Sequence, residues 1–167
     1  MSSYDEIEKI MREITDDLYP AIDVHFQEVS AFRKGTGDVD GYENAFDIFD
    51  VLKEEILSLK KYELKLVFPG VRTFFSEMDA AIPQNIRINE LHDLLEKKEE
   101  RVKRKVLAIE VELEDNVKNP LGEMVSYFKE NYFSKKDTFY KFVAILQKER
   151  SVKCAGKDIL APDSPTV

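Results

Sequence analysis

Two histidines and one glutamate occupy helical repeat positions where apolar residues are expected. His25 belongs to the series Leu18, Ile22, His25, Val29 and Phe32, and His92 to Ile88, His92, Leu95, Val102 and Val106. Glu63 interrupts a third series, Ala45, Phe49, Leu52, Ile56, Leu59, Glu63 and Leu66. Steps of three and four place such residues on one face of a helix. Imidazoles and carboxylates converging from several helices are the donors from which metal centres inside helical bundles are built. Two histidines with one carboxylate match a mononuclear iron arrangement, so His25, Glu63 and His92 are the candidate metal ligands. The same side chains equally suit a buried polar cluster without metal, in which Glu63 needs a partner because burying a lone carboxylate is costly. Both readings stand at this point.

Further polar groups fall on or beside these faces. Glu96 and Glu99 follow His92 on its helix and offer either additional donors or part of a charged outer face. Tyr132 lies in the series Leu121, Val125, Phe128, Tyr132, Phe139, Phe142 and Leu146, where its hydroxyl needs a hydrogen-bond partner. Lys135 and Lys136 straddle the seam between Tyr132 and Phe139, which directs one ammonium towards the interior edge. Tyr132, Lys136 and Glu99 are therefore the candidate members of a buried polar cluster.

The elements that must position these residues are all helical. Ser3, with Asp5 and Glu6 behind it, suits a helix start. The first helix then runs to Gly35–Gly37, with a kink or short break expected at Pro20, which removes a backbone donor. A second helix is expected from about Gly41 to Phe68, stopped by Pro69 and Gly70, and a short amphipathic piece over Val71–Met78 before a turn at Pro83. The third spans about Asn85–Glu114. After a turn over Asn116–Pro120, the fourth spans about Leu121–Arg150. No alternation of strand type appears. The expected fold is all-α: an up-down-up-down four-helix bundle with an extended, kinked first helix, forming one domain over residues 1–150 with a flexible tail over 151–167.

Composition narrows the function. The 167 residues are 43% hydrophobic and 35% charged, suited to one globular domain with a real core. A net charge of −8 argues against nucleic acid, which needs a basic face. The basic run from Lys97 to Lys105 is interleaved with Glu96, Glu99 and Glu100, as on a solvated helix face. Cys154 is the only cysteine, which excludes an internal disulfide and a thiolate-clustered metal site. No apolar run reaches membrane-spanning length and the acidic N-terminus has no signal core, so a cytoplasmic protein without membrane contact is expected. No glycine-rich phosphate loop, nucleophile motif or oxyanion-hole signature marks an enzyme.

The segment from Glu63 to Gly70, Glu-Leu-Lys-Leu-Val-Phe-Pro-Gly, resembles the second helix of hemerythrin-like domains, where His-x-x-x-Glu precedes Phe-Pro. Glu63 takes the glutamate position, and Leu59 stands where the family's histidine would be. His25 precedes position 59 by a family-like interval, and His92, within Glu90-Leu-His-Asp, resembles the opening of the family's third helix. In the fourth helix Tyr132 and Lys136 occupy the frame of a second His-x-x-x-Glu. The resemblance covers roughly residues 18–146 and implies the scaffold. Its usual diiron cofactor, which serves oxygen, nitric oxide or redox handling, needs more donors than His25, Glu63 and His92 supply. The departures suggest that Lys136 brings a positive charge to the place of the metal and neutralises Glu63, with Tyr132 donating to Glu63 or His25.

Two functions follow. One is a metal-free, non-catalytic interaction or regulatory domain with no cofactor, acting through a protein partner or a second copy. The other is a protein with a reduced iron or zinc site at His25, Glu63 and His92.

Overall fold

The computed structural model describes residues 3–36, 42–68, 70–77, 84–113 and 119–160, the side chains of 36, 76, 77, 84, 85 and 150–160 excepted. Every regular element among them is helical. In chain order these are α1 (Ser3–Glu13), a π-helical turn π1 (Ile14–Leu18), α2 (Tyr19–Thr36), α3 (Glu43–Val67), α4 (Val71–Glu77), α5 (Gln84–Glu112), α6 (Pro120–Tyr127), a second π-helical turn π2 (Phe128–Tyr132) and α7 (Phe133–Leu160). The expected turns at Pro69, Pro83 and Asn116–Lys118 lie outside the described residues.

The break foreseen at Pro20 takes the form of π1. Proline has no N–H for the carbonyl four residues back and its ring crowds that carbonyl. The chain widens just before it, and the Tyr19 N–H donates to the Ile14 carbonyl, five residues back. π2 widens the last rod in the same way, with the Phe133 N–H reaching the Phe128 carbonyl. No proline stands there. Each widened turn inserts register into its helix, and such turns gather at functional sites.

The N-terminal rod packs against the C-terminal one, α1 on α7 and α2 on α6, so the two run antiparallel. α3 lies along α5, and α5 also meets α6 and α7. The third series is buried throughout, from Ala45 to Leu66 and including Glu63. In the fourth, Leu121, Val125, Phe128, Tyr132, Phe139 and Leu146 are buried and Phe142 is half-buried. α6 begins as its sequence dictates, with Asn119 accepting from the Gly122 N–H at 3.1 Å and Pro120 following at the first position. α7 continues to Leu160, past the expected end at Arg150: the first part of the expected flexible tail is helix, and 161–167 lie outside the described residues.

The short α4 is fastened to α1. Gly70 adopts φ 119°, which L side chains rarely take, and an added Cβ would meet Glu8 Oε1 at 3.0 Å. That same oxygen accepts the Val71 N–H at 3.3 Å. No helix among the described residues is long and apolar enough to cross a membrane.

Candidate functional site

Glu63 on α3 and Lys136 on α7 are wholly buried, and the Lys136 ammonium is paired with Glu63 Oε1. Tyr19, the first residue after π1, donates its hydroxyl to Glu63 Oε2. Both carboxylate oxygens are thereby occupied, from two different elements. The ammonium also faces three rings, with Nζ 5.1 Å from the Phe139 centroid, 5.3 Å from Tyr140 and 5.9 Å from Tyr132. Such faces attract a cation, more strongly when water is excluded. Burial pushes the Lys136 ammonium down to about 7; contact with the Glu63 carboxylate favours the charged form and opposes that displacement. Burial also holds the Tyr19 and Tyr132 hydroxyls well above their ordinary range, so both remain protonated.

The π turns deliver two of these groups. π1 ends beside Tyr19 and π2 ends on Tyr132, whose rings lie 6.3 Å apart. The Tyr132 hydroxyl is buried next to the Tyr19 hydroxyl, each influencing the other's titration, and makes no hydrogen bond of ordinary geometry among the described residues. The expectation that it would donate to Glu63 or His25 is corrected: Tyr19 holds Glu63 Oε2, and His25, whose buried Nδ1 also has no hydrogen-bond partner among the described residues, stands against Tyr127. Tyr140 closes the cluster, donating to the Leu95 carbonyl at 2.7 Å.

Glu99 on α5 is buried, in the face Leu95, Glu99, Val102, Val106. Its Oε1 has no hydrogen-bond partner among the described residues, and burial raises the carboxyl to about 7, against a partial opposing pull from Lys103. Glu99 in turn helps to raise Tyr140, after burial.

The three candidate metal ligands do not converge. His25 stands at the rim of α2, its ring 4.9 Å from Tyr127 and its Nδ1 3.8 Å from Glu28 Oε2. His92 packs its ring 5.8 Å from Tyr140 and faces Glu96 and Asp93 of its own helix at 3.5 and 3.7 Å. Tyr127 and Tyr140 belong to one rod and are separated by roughly 20 Å of helical rise at 1.5 Å per residue. Among the described residues, the one set of three histidine or acid donors close enough to share an ion is His92, Asp93 and Glu96, with both acids exposed on α5. The assignment of His25, Glu63 and His92 to one metal centre is thus corrected. The buried face of α2 is Tyr19, Ile22, Phe26 and Val29, and His25 flanks it. The donor set also fails to fit a diiron centre, because Lys136 places a cation against the carboxylate that would bind one.

Tyr19 is the member that sequence reasoning missed. Its spacing to Ile22, Phe26 and Val29 is the signal the sequence holds, and the series through Leu18, Ile22 and His25 has equally regular steps. Next to the cluster, a narrow, largely enclosed cavity of about 10 Å³ between Leu95, His92, Phe139 and Tyr140 has room for one water at most. No family model, no curated protein and no solved structure matches the chain.

Proposed function

We propose that this chain is a hemerythrin-like, up-down-up-down four-helix bundle that has exchanged metal for an internal salt bridge and serves as a non-catalytic interaction or regulatory domain. The observation that carries this reading is the pairing of Lys136 with Glu63, with Tyr19 on the second carboxylate oxygen. An ammonium supplies the compensating charge that a buried carboxylate requires. It also occupies the lone pairs through which Glu63 would ligate a metal. The cluster is closed to substrates, since the cavity beside it accommodates no more than a water. Function then falls to the outer surface, where the excess negative charge (−8 overall) suits contact with a basic protein surface or peptide.

Metal analysis of protein purified without chelator, with melting curves before and after addition of ferrous iron, tests the reading. It expects no stoichiometric metal and an unchanged Tm. A retained metal together with a raised Tm contradicts it, because a ligand that binds the native state stabilises it.

A further inference from the structure

We propose that Lys136 and Glu63 condense to an intramolecular isopeptide bond, an amide between Lys136 Nζ and Glu63 Cδ, which staples α7 to α3. The two groups are in contact, wholly excluded from solvent and held by elements distant in sequence. In water, amide formation from an ammonium and a carboxylate is opposed by the solvation of both ions. Burial has already removed that solvation, so the two reacting groups have no hydration shell left to lose. An amide leaves no buried charge at all.

The arrangement also supplies the steps. Transfer of one proton from the ammonium to Glu63 gives the free amine and the carboxylic acid. The nitrogen lone pair then attacks Cδ. Tyr19, donating to Oε2, stabilises the negative charge that develops on that oxygen, as an oxyanion-hole donor does. Oε1 lies against Nζ and takes a second proton from it; the Cδ–Oε1 bond breaks and water leaves. Oε2 remains as the amide oxygen, still accepting from Tyr19. The balance is one amine and one carboxylic acid to one amide and one water, without oxidant or co-reactant. Fixing the reactants in contact replaces a bimolecular encounter, with effective concentrations that reach about 10⁵–10⁸ M in favourable cases. The rings of Phe139, Tyr140 and Tyr132 around Nζ hold it in place.

The proposal rests on the contact between these two residues and is separable from the charge-compensation reading, which holds for an unlinked pair. Intact mass spectrometry of the full chain, denatured after purification, tests it. The expected mass is one water below that of the sequence, and digestion in denaturant should release a branched peptide joining the segments around Glu63 and Lys136, uncut after Lys136. Lys136→Arg should restore the full mass. Full mass in the wild type, a normal tryptic cut after Lys136, a water loss mapping to other residues, or persistence of the loss in Lys136→Arg would each overturn it. The wild-type spectrum is decisive even where the variant fails to fold.

Discussion

Lys136 and Glu63 meet across 73 residues of sequence, and neither side chain reaches solvent. The contact joins α7 to α3. A pair of this kind need not be more stable than apolar residues of the same volume, because both groups have lost their hydration. It is costly to break, however, because the remaining partner is left charged in an apolar interior. The consequences of the pairing can be measured through its neighbours.

The two tyrosines separate a hydroxyl bonded to the carboxylate from one that is not. Tyr19→Phe removes the donor to Glu63 Oε2 and should cost about 1–3 kcal/mol, as for a buried bond to a charged group. Tyr132→Phe removes a hydroxyl that makes no hydrogen bond of ordinary geometry and only neighbours that of Tyr19, and should cost less, under about 1 kcal/mol. Urea unfolding of the two variants checks the order; equal losses would show that Tyr132 has a partner in solution.

Glu99 makes stability depend on pH. Its carboxyl is raised to about 7 in the folded chain from an ordinary 4.5, chiefly by burial, so the folded state holds an extra proton between those values. The stabilisation is fully present below pH 4.5 and is lost as pH rises through 7, on the order of 2 kcal/mol. Urea midpoints measured from pH 4.5 to 8 should fall across this window in the wild type and fall less in Glu99→Gln. Parallel curves for the two would remove Glu99 as the cause.

His25 and His92 should prove dispensable to the core. Each packs at a rim against a tyrosine ring, so His25→Ala and His92→Ala should each cost less than about 1 kcal/mol by thermal unfolding. His25→Ala should respond to zinc or ferrous iron as the wild type does. A metal-induced rise in Tm that each single variant loses would show a shared ion after all, whereas loss in His92→Ala alone would point to the set with Asp93 and Glu96.

How much of this was legible in the sequence differs by helix. On α3, an uninterrupted α-helix with a regular series, the burial of Glu63 followed directly from spacing. Lys136 was also legible, since Tyr132 and Phe139 bracket it on a buried face. The first rod misled, because π1 inserts register before Pro20 that a constant step of three and four does not carry. Tyr19 thereby moved inward while His25 was left at the rim. Proline announced a break without specifying its type. For π2 no proline or glycine marks the site at all, so nothing in the local sequence announces the widened turn. Heights along the helices were the remaining gap: two histidines on apolar faces say nothing of their separation along the rods.

Gly70 should resist substitution for two independent reasons. A side chain at φ 119° is strained, and its Cβ would press on the Glu8 oxygen that receives the Val71 N–H. Gly70→Ala should cost about 1–3 kcal/mol in thermal unfolding. Wild-type stability in that variant would mean that the turn relaxes freely.

The most direct test of the central claim is a double-mutant cycle at positions 63 and 136, read by urea unfolding. Lys136→Met alone should cost about 3–5 kcal/mol, since it strands the Glu63 carboxylate, and Glu63→Leu alone should strand Lys136 in the same way. Combined, the two substitutions should recover most of the loss, giving a coupling of several kcal/mol. Additive losses would contradict the account, because they would mean that neither residue compensates the other.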